Sequence, residues 1–203
     1  LMEIATGAES GTWGTKTNTN LELIADAFGS GTEAITTNAD THSTTVADGA
    51  ADEGRAIYMK YTGALDSNCT ISLLPNTINK FWLIENATTD SGSSGPYSII
   101  ISQGSGANIT IGNGKVAAIF TDGAGGGAAV LDAFADLVVS DSFQVAGPNL
   151  TIGDAAAEDT KLLFDGNAQD FYIGLDDSVD DLVIGLGSVV GTTPAVTIDE
   201  NQA

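Results

Sequence analysis

Basic residues are almost missing from this chain: 203 residues carry six Lys and Arg against 27 Asp and Glu, a formal charge of -21. Binding nucleic acid through its phosphates needs clustered Lys and Arg, so that class of function is excluded. Attraction to anionic membrane surfaces is disfavoured for the same reason. With a single histidine, His42, neither a His-based metal cluster nor a Ser-His-Asp triad assembles within one chain. Its surroundings, 40–44, predict a polar loop. With a single cysteine, Cys69, no intrachain disulfide forms; it falls in an apparent strand, 69–73, where a buried thiol is the expected state. No apolar run approaches the roughly 20 residues that span a bilayer, and no basic segment precedes an apolar one as in a secretory leader. Membrane insertion is therefore not expected.

What is present is a 42% hydrophobic chain rich in Gly, Thr, Asn, Ser and Ala, with 6% aromatics and 16% charged residues. That is too apolar for a disordered acidic tail and suits a β-rich protein with a thin core. Acidity concentrates toward the C-terminus, where 140–203 hold 12 acids and one base against 15 and five before it. Leu1 is not an initiator Met, and the chain stops just after an apparent strand at 195–198, so a piece of a longer protein is expected.

A short phrase ending in Ile-Gly recurs at Ile111-Gly112, Ile152-Gly153, Ile173-Gly174 and Ile184-Gly185. Each copy predicts one short strand closing on a glycine turn. The first precedes Asn113-Gly114, a strong hairpin signal between 109–111 and 116–120, and is assigned to the middle of the chain. The other three form a C-terminal array too short and glycine-rich to close a core alone, so burial against identical copies is expected.

Further organisation follows from period. Leu21, Ile24, Ala25 and Phe28 at helical spacing predict a helix over 20–28, with Thr19 and Glu22 as a capping box and Gly29 as the stop. Nine residues do not hold a helix in water, so its apolar face must dock on this chain or on a partner. Trp13 between two glycines either anchors the local turn or serves a partner. From 32 to 122 the period is two, as in Ile57, Met59 and Tyr61, which predicts a small antiparallel β domain. Gly123 to Gly127 predicts its exit linker, and 131–139 is left open between helix and strand.

Three phrases carry a resemblance: Ser10 to Leu21 around Trp13-Gly14-Thr15, Asn113 to Gly123, and Leu163 to Asp177 with its Asp165-Gly166-Asn167-Ala168-Gln169-Asp170-Phe171. They resemble tail-fibre or virion structural proteins of tailed bacteriophages, marine ones especially. The resemblance implies an extracellular virion protein, an elongated homotrimer joined to neighbouring tail or baseplate proteins by its N-terminal part, with receptor-binding tips further toward the C-terminus. It carries no catalytic motif and no cofactor.

The expected fold is thus mostly β with one short N-terminal helix: an attachment segment at 1–31, an antiparallel domain at 32–122, a linker at 123–139 and an intertwined trimeric shaft at 140–203. Trp13, Leu21, Ile24 and Phe28 are the expected tail-docking residues. The expected function is structural, a phage tail fibre supporting host attachment, and not enzymatic. A second reading is a glycan-binding module of a phage or bacterial trimeric adhesin, with Tyr58, Trp82 and Tyr97 stacking on host surface polysaccharide. A third is a fragment of a tailspike depolymerase. The acids Asp176, Asp177, Asp180 and Asp181 suit Ca²⁺ chemically, but their spacing fits no EF-hand loop and a solvated turn is the simpler expectation. Four Asn-x-Thr matches, at Asn68, Asn86, Asn108 and Asn149, bear only on a eukaryotic secretory setting.

Overall fold

The computed structural model describes every residue except 8, 9, 93, 136, 141, 148, 154, 202 and 203. Strands take 37% of the chain and helical turns 11%, the mostly β fold with one N-terminal helix that composition and period predict. The chain divides into two compact units, Leu1–Val138 and Val139–Ala203.

The first unit is a short β-solenoid. Its first rung is β1 (Ser30–Ala34) and β2 (Thr41–Thr45). The second is β3 (Tyr58–Thr62), β4 (Ala64–Leu65) and β5 (Cys69–Leu74), and the third is β6 (Asn79–Asn86), β7 (Thr89–Asp90) and β8 (Ile99–Ser102). Pairing between rungs is parallel on all three sides: β1 with β3 and β3 with β6, β2 with β5 and β5 with β8, β4 with β7. The antiparallel domain expected here is corrected on this point. Among the described residues of this unit antiparallel pairing appears only at the last rung, where β9 (Ile109–Ile111) pairs with β8, β10 (Val116–Asp122) with β6, and β11 (Val130–Asp132) with β10. Reversing direction there ends the stacking of rungs.

Stacking aligns inward residues into columns. Met59 lies beside Ile84, Ile71 beside Ile101, and Cys69 beside Ile99, which faces Ile111; all are buried. Burial pushes the Cys69 thiol up from its ordinary range, with Asp40 adding to the shift, so the thiol stays protonated and unreactive. At one corner Gly63, with φ +121°, holds the turn from β3 to β4 against the carbonyl of Ile35, a space that any side chain would fill. Asn86 is fully buried yet satisfied: its amide donates to the carbonyls of Tyr97 (3.1 Å) and Ile111 (2.9 Å), and its Oδ1 accepts from Thr88 N (3.2 Å) and Oγ1 (2.7 Å).

Two further expectations change. The Asn113-Gly114 turn closes no hairpin, because β9 and β10 belong to different sheets and the turn carries the chain from one face to the next. Gly123 to Gly127 is no exit linker: Gly125–Gly127 forms a 3-10 turn against the third rung, with Ser105 N donating to Gly126 O, and β11 then rejoins the sheet. The undecided stretch 131–139 therefore begins as a strand; Asp136 within it lies outside the described residues.

The second unit is an antiparallel meander of β12 (Thr160–Phe164), β13 (Phe171–Asp176), β14 (Asp181–Leu186) and β15 (Pro194–Ile198) in sequence order. Two Ile-Gly phrases lie within its strands instead of ending them: Gly174 in β13 and Gly185 in β14. They leave room on one face for the buried Tyr172 ring and for Val190 from the loop after β14. Tyr172 Oη accepts from Gly191 N at 3.0 Å and so ties that loop down. Ile152-Gly153 lies in no strand.

Candidate interaction surfaces

The helix α1 spans Trp13–Ala27, seven residues longer at its start than the period predicts, and its N-cap is Thr12 without a side-chain cap, so the Thr19/Glu22 capping box does not form. Leu23 is its buried residue. Asn20 fastens the helix to the N-terminal segment through two bonds, accepting from Met2 N (2.8 Å) and donating to Met2 O (2.9 Å). The four residues expected to dock are all brought onto one stripe and all face solvent: Trp13 is 64% exposed, Leu21 59%, Ile24 42% and Phe28, just past the helix, 77%. The periodicity located the stripe; it did not show that the opposite side, through Leu23, is the one the chain itself buries. Trp13 anchors no core.

The second unit carries a larger surface. On the face opposite Tyr172, side chains align across the strands in rows: Phe164, Phe171 and Leu186; Leu162, Ile173, Ile184 and Val196; Leu175, Leu182 and Ile198. All are large and apolar, none is charged, and each is 37–52% exposed. The inner strands alternate cleanly, with Tyr172, Gly174, Val183 and Gly185 buried on the other side. Contiguous apolar faces of this size on soluble proteins mark interaction sites, since water exacts a free-energy cost from each unburied row.

The aromatic platform expected for sugars is corrected. Trp82 is 1% exposed: its Nε1 donates to Gly54 O at 3.0 Å and Lys80 Nζ sits 4.5 Å from its ring, so neither ring face is open to a ligand. Tyr58 pairs with Leu83, the neighbour of Trp82 in β6, and so lies on the outer face of the sheet whose inner face holds Trp82. Its hydroxyl donates to Glu85 Oε2 at 2.6 Å, which raises the Tyr58 pKa and lowers that of Glu85. Tyr97 is half-buried against the core. Tyr58 and Trp82 thus lie on opposite faces of one sheet, and no open platform is made from them.

A polar cluster that sequence reasoning missed closes the first rung. His42 belongs to β2 and not to a loop, with its Nε2 2.9 Å from Glu33 Oε1 but off the line of a hydrogen bond. Thr44 Oγ1 donates to Glu33 Oε2 at 2.6 Å and meets the buried Tyr61 hydroxyl at 2.7 Å. Burial raises the Tyr61 pKa well above the ordinary value and keeps it protonated. Inward charges on an edge rung discourage end-to-end stacking of sheets, and this cluster has that form. The alternation of Glu33, His42 and Thr44 with their neighbours was the available signal, but polar residues at inward positions do not look like a strand.

At the acidic turn between β13 and β14, Asp176 Oδ1 accepts from Ser178 N (3.2 Å) and Oγ (2.6 Å), a turn satisfied by its own chain. Among the described residues no three His, Cys, Asp or Glu gather to hold a metal ion, and no helix is long and apolar enough to cross a membrane. In comparisons of sequence and of fold, no family, no curated protein and no solved structure matches the chain.

Proposed function

We propose that this chain is a structural fibre protein of a phage tail that works by assembling in threes and supporting attachment to a host cell. The single observation that carries the assembly is the uncharged apolar face of the second unit, in a chain whose net charge of -21 otherwise opposes self-association. The virion setting rests on the resemblance of the three sequence phrases alone.

The dimensions of the sheet favour three copies. At about 4.8 Å per strand its four strands are roughly 19 Å wide. Three such sheets, apolar faces inward around one axis, form a triangular prism whose walls lie about 5.5 Å from the axis, near half the ~10 Å separation of packed sheets. The side chains then fill the axis. Four sheets would stand about 9.5 Å from it and leave a void, which close-packed interiors do not tolerate. Two sheets face to face would bury the rows but leave edge strands β12 and β15 open, whereas the prism brings each edge beside a neighbour's. The rows thus perform a geometric task, converting a thin sheet into a stiff shaft.

Sedimentation or light scattering at neutral pH should give the mass of three chains. Placing two carboxylates in the central row with Ile173→Asp and Ile184→Asp together should give a folded monomer, because six buried charges in one layer of the trimer are far costlier than the rows are favourable. A wild-type chain that stays monomeric at micromolar concentration would overturn the proposal.

A further inference from the structure

We infer that the exposed stripe of α1 is the seam of a parallel helix bundle formed with the same stripe on the other copies of this chain, an inference that rests on the threefold assembly proposed above. Thr17, Leu21, Ile24 and Phe28 follow one another at steps of four, three and four. That is the alternation of d and a positions in a heptad, and its natural partner is a like helix, knobs of one fitting the holes of the next. A cyclic assembly of identical chains sets such helices parallel and in register.

Charge placement points to the same occupant. With Leu21 at a and Ile24 at d, the acids of α1, Glu22 and Asp26, fall at b and f, away from the seam. The flanking e and g positions within α1 are Trp13, Asn18, Asn20, Ala25 and Ala27, all uncharged. A chain this acidic meets its own copies along this stripe without setting carboxylate against carboxylate, and no basic partner is called for. The helix is also held ready: Leu23 is buried away from the stripe and the Asn20–Met2 bonds fasten the helix along one flank, so the stripe is presented outward with little ordering left to do. Fifteen residues make about 22 Å of helix, too short to associate firmly alone. Tethering by a second contact in the same chains supplies the effective concentration that short seam needs.

Cysteine placement tests this in the full chain, where native Cys69 is buried and stays silent. Under mild oxidation Leu21→Cys should form a covalent dimer at least ~10-fold faster than Glu22→Cys, since seam residues are held at millimolar effective concentration. In a trimer the Leu21→Cys product should level off near two chains in three. Circular dichroism checks that both variants keep the fold. If the chains weigh three but Leu21→Cys reacts no faster than Glu22→Cys, the helix seam is overturned and the shaft stands; a stripe that docks a different tail protein would give this result. If the wild-type chain weighs one and neither variant cross-links, the shaft proposal fails and this inference fails with it.

Discussion

Replacing Gly185 by Ala should destabilise the second unit through one contact. A Cβ on Gly185 would stand 2.5 Å from Cζ and 2.8 Å from Cε1 of Tyr172, so the ring must retreat by about 1 Å. Overpacking of this kind costs roughly 1–3 kcal/mol. The retreat also stretches the bond from Gly191 N to Tyr172 Oη, worth about 1 kcal/mol. Against this, removing a glycine from a strand interior contributes roughly 0.5–1 kcal/mol of stability. The balance is a loss of about 1.5–3 kcal/mol, and for a unit of this size each kcal/mol lowers the midpoint by about 4–8 °C. Calorimetry at fixed chain concentration should therefore show the second unit melting roughly 6–24 °C lower, fixed concentration being necessary because assembly couples to stability. Both tryptophans, Trp13 and Trp82, lie in the first unit, so their fluorescence transition should not move. In a Tyr172→Leu background the same Gly185→Ala change should cost less than ~1 kcal/mol, because the contact is gone. An unchanged or raised midpoint, or a loss that ignores residue 172, would refute the reasoning.

In the first unit, Asn86→Ala strands two carbonyls and two donors of a buried network and should cost about 3–4 kcal/mol in urea unfolding followed by Trp82 fluorescence; a loss under 1 kcal/mol would mean water replaces the amide. Lys80 is lowered to about 8 chiefly by burial, with Asp52 opposing and Arg55 adding to the shift. Below pH 8 it is charged in both folded and unfolded chains, and the burial cost is fully present. Above pH 8 the folded chain releases the proton first, so the unfolded chain binds more protons and stability should rise with pH between about 8 and 10. Above about 10 the raised Tyr61 hydroxyl acts in the opposite sense, because the folded chain then holds the extra proton. The raised Cys69 thiol also acts in the opposite sense within this range, so Lys80 is read from the difference: urea midpoints should climb with pH in the wild type relative to Lys80→Met.

Local period revealed the strands but not their partners, and the physical reason is specific. Alternation in Tyr58 to Thr62 says that one face is buried, and that is equally true of parallel and antiparallel neighbours. Direction is set by how far along the chain the partner lies. Thr41 pairs with Thr70 and Thr70 with Ile100, spacings of 29 and 30 residues, while Ser30 pairs with Tyr58 at 28 and Tyr58 with Leu83 at 25. A solenoid tolerates such uneven rungs because its turns lie outside the core, so no strict sequence period survives. The trace that does survive is faint: Thr41-His42-Ser43, Thr70-Ile71-Ser72 and Ile100-Ile101-Ser102, each an inward residue between two outward ones, and two of the three inward residues apolar. The Ile-Gly phrases drew attention because identical words are easier to see than similar spacings. The two at Ile173 and Ile184 were legible as strands, and misread as strand ends, because a glycine that makes room for a ring is written in the same letter as a glycine that turns the chain. Only the partner distinguishes them, and for Gly185 that partner is Tyr172, 13 residues back and one strand over. The isoleucines beside the glycines point the other way, onto the uncharged face. One two-residue word thus specifies both sides of the sheet: the side its own chain fills, and the side that needs another chain.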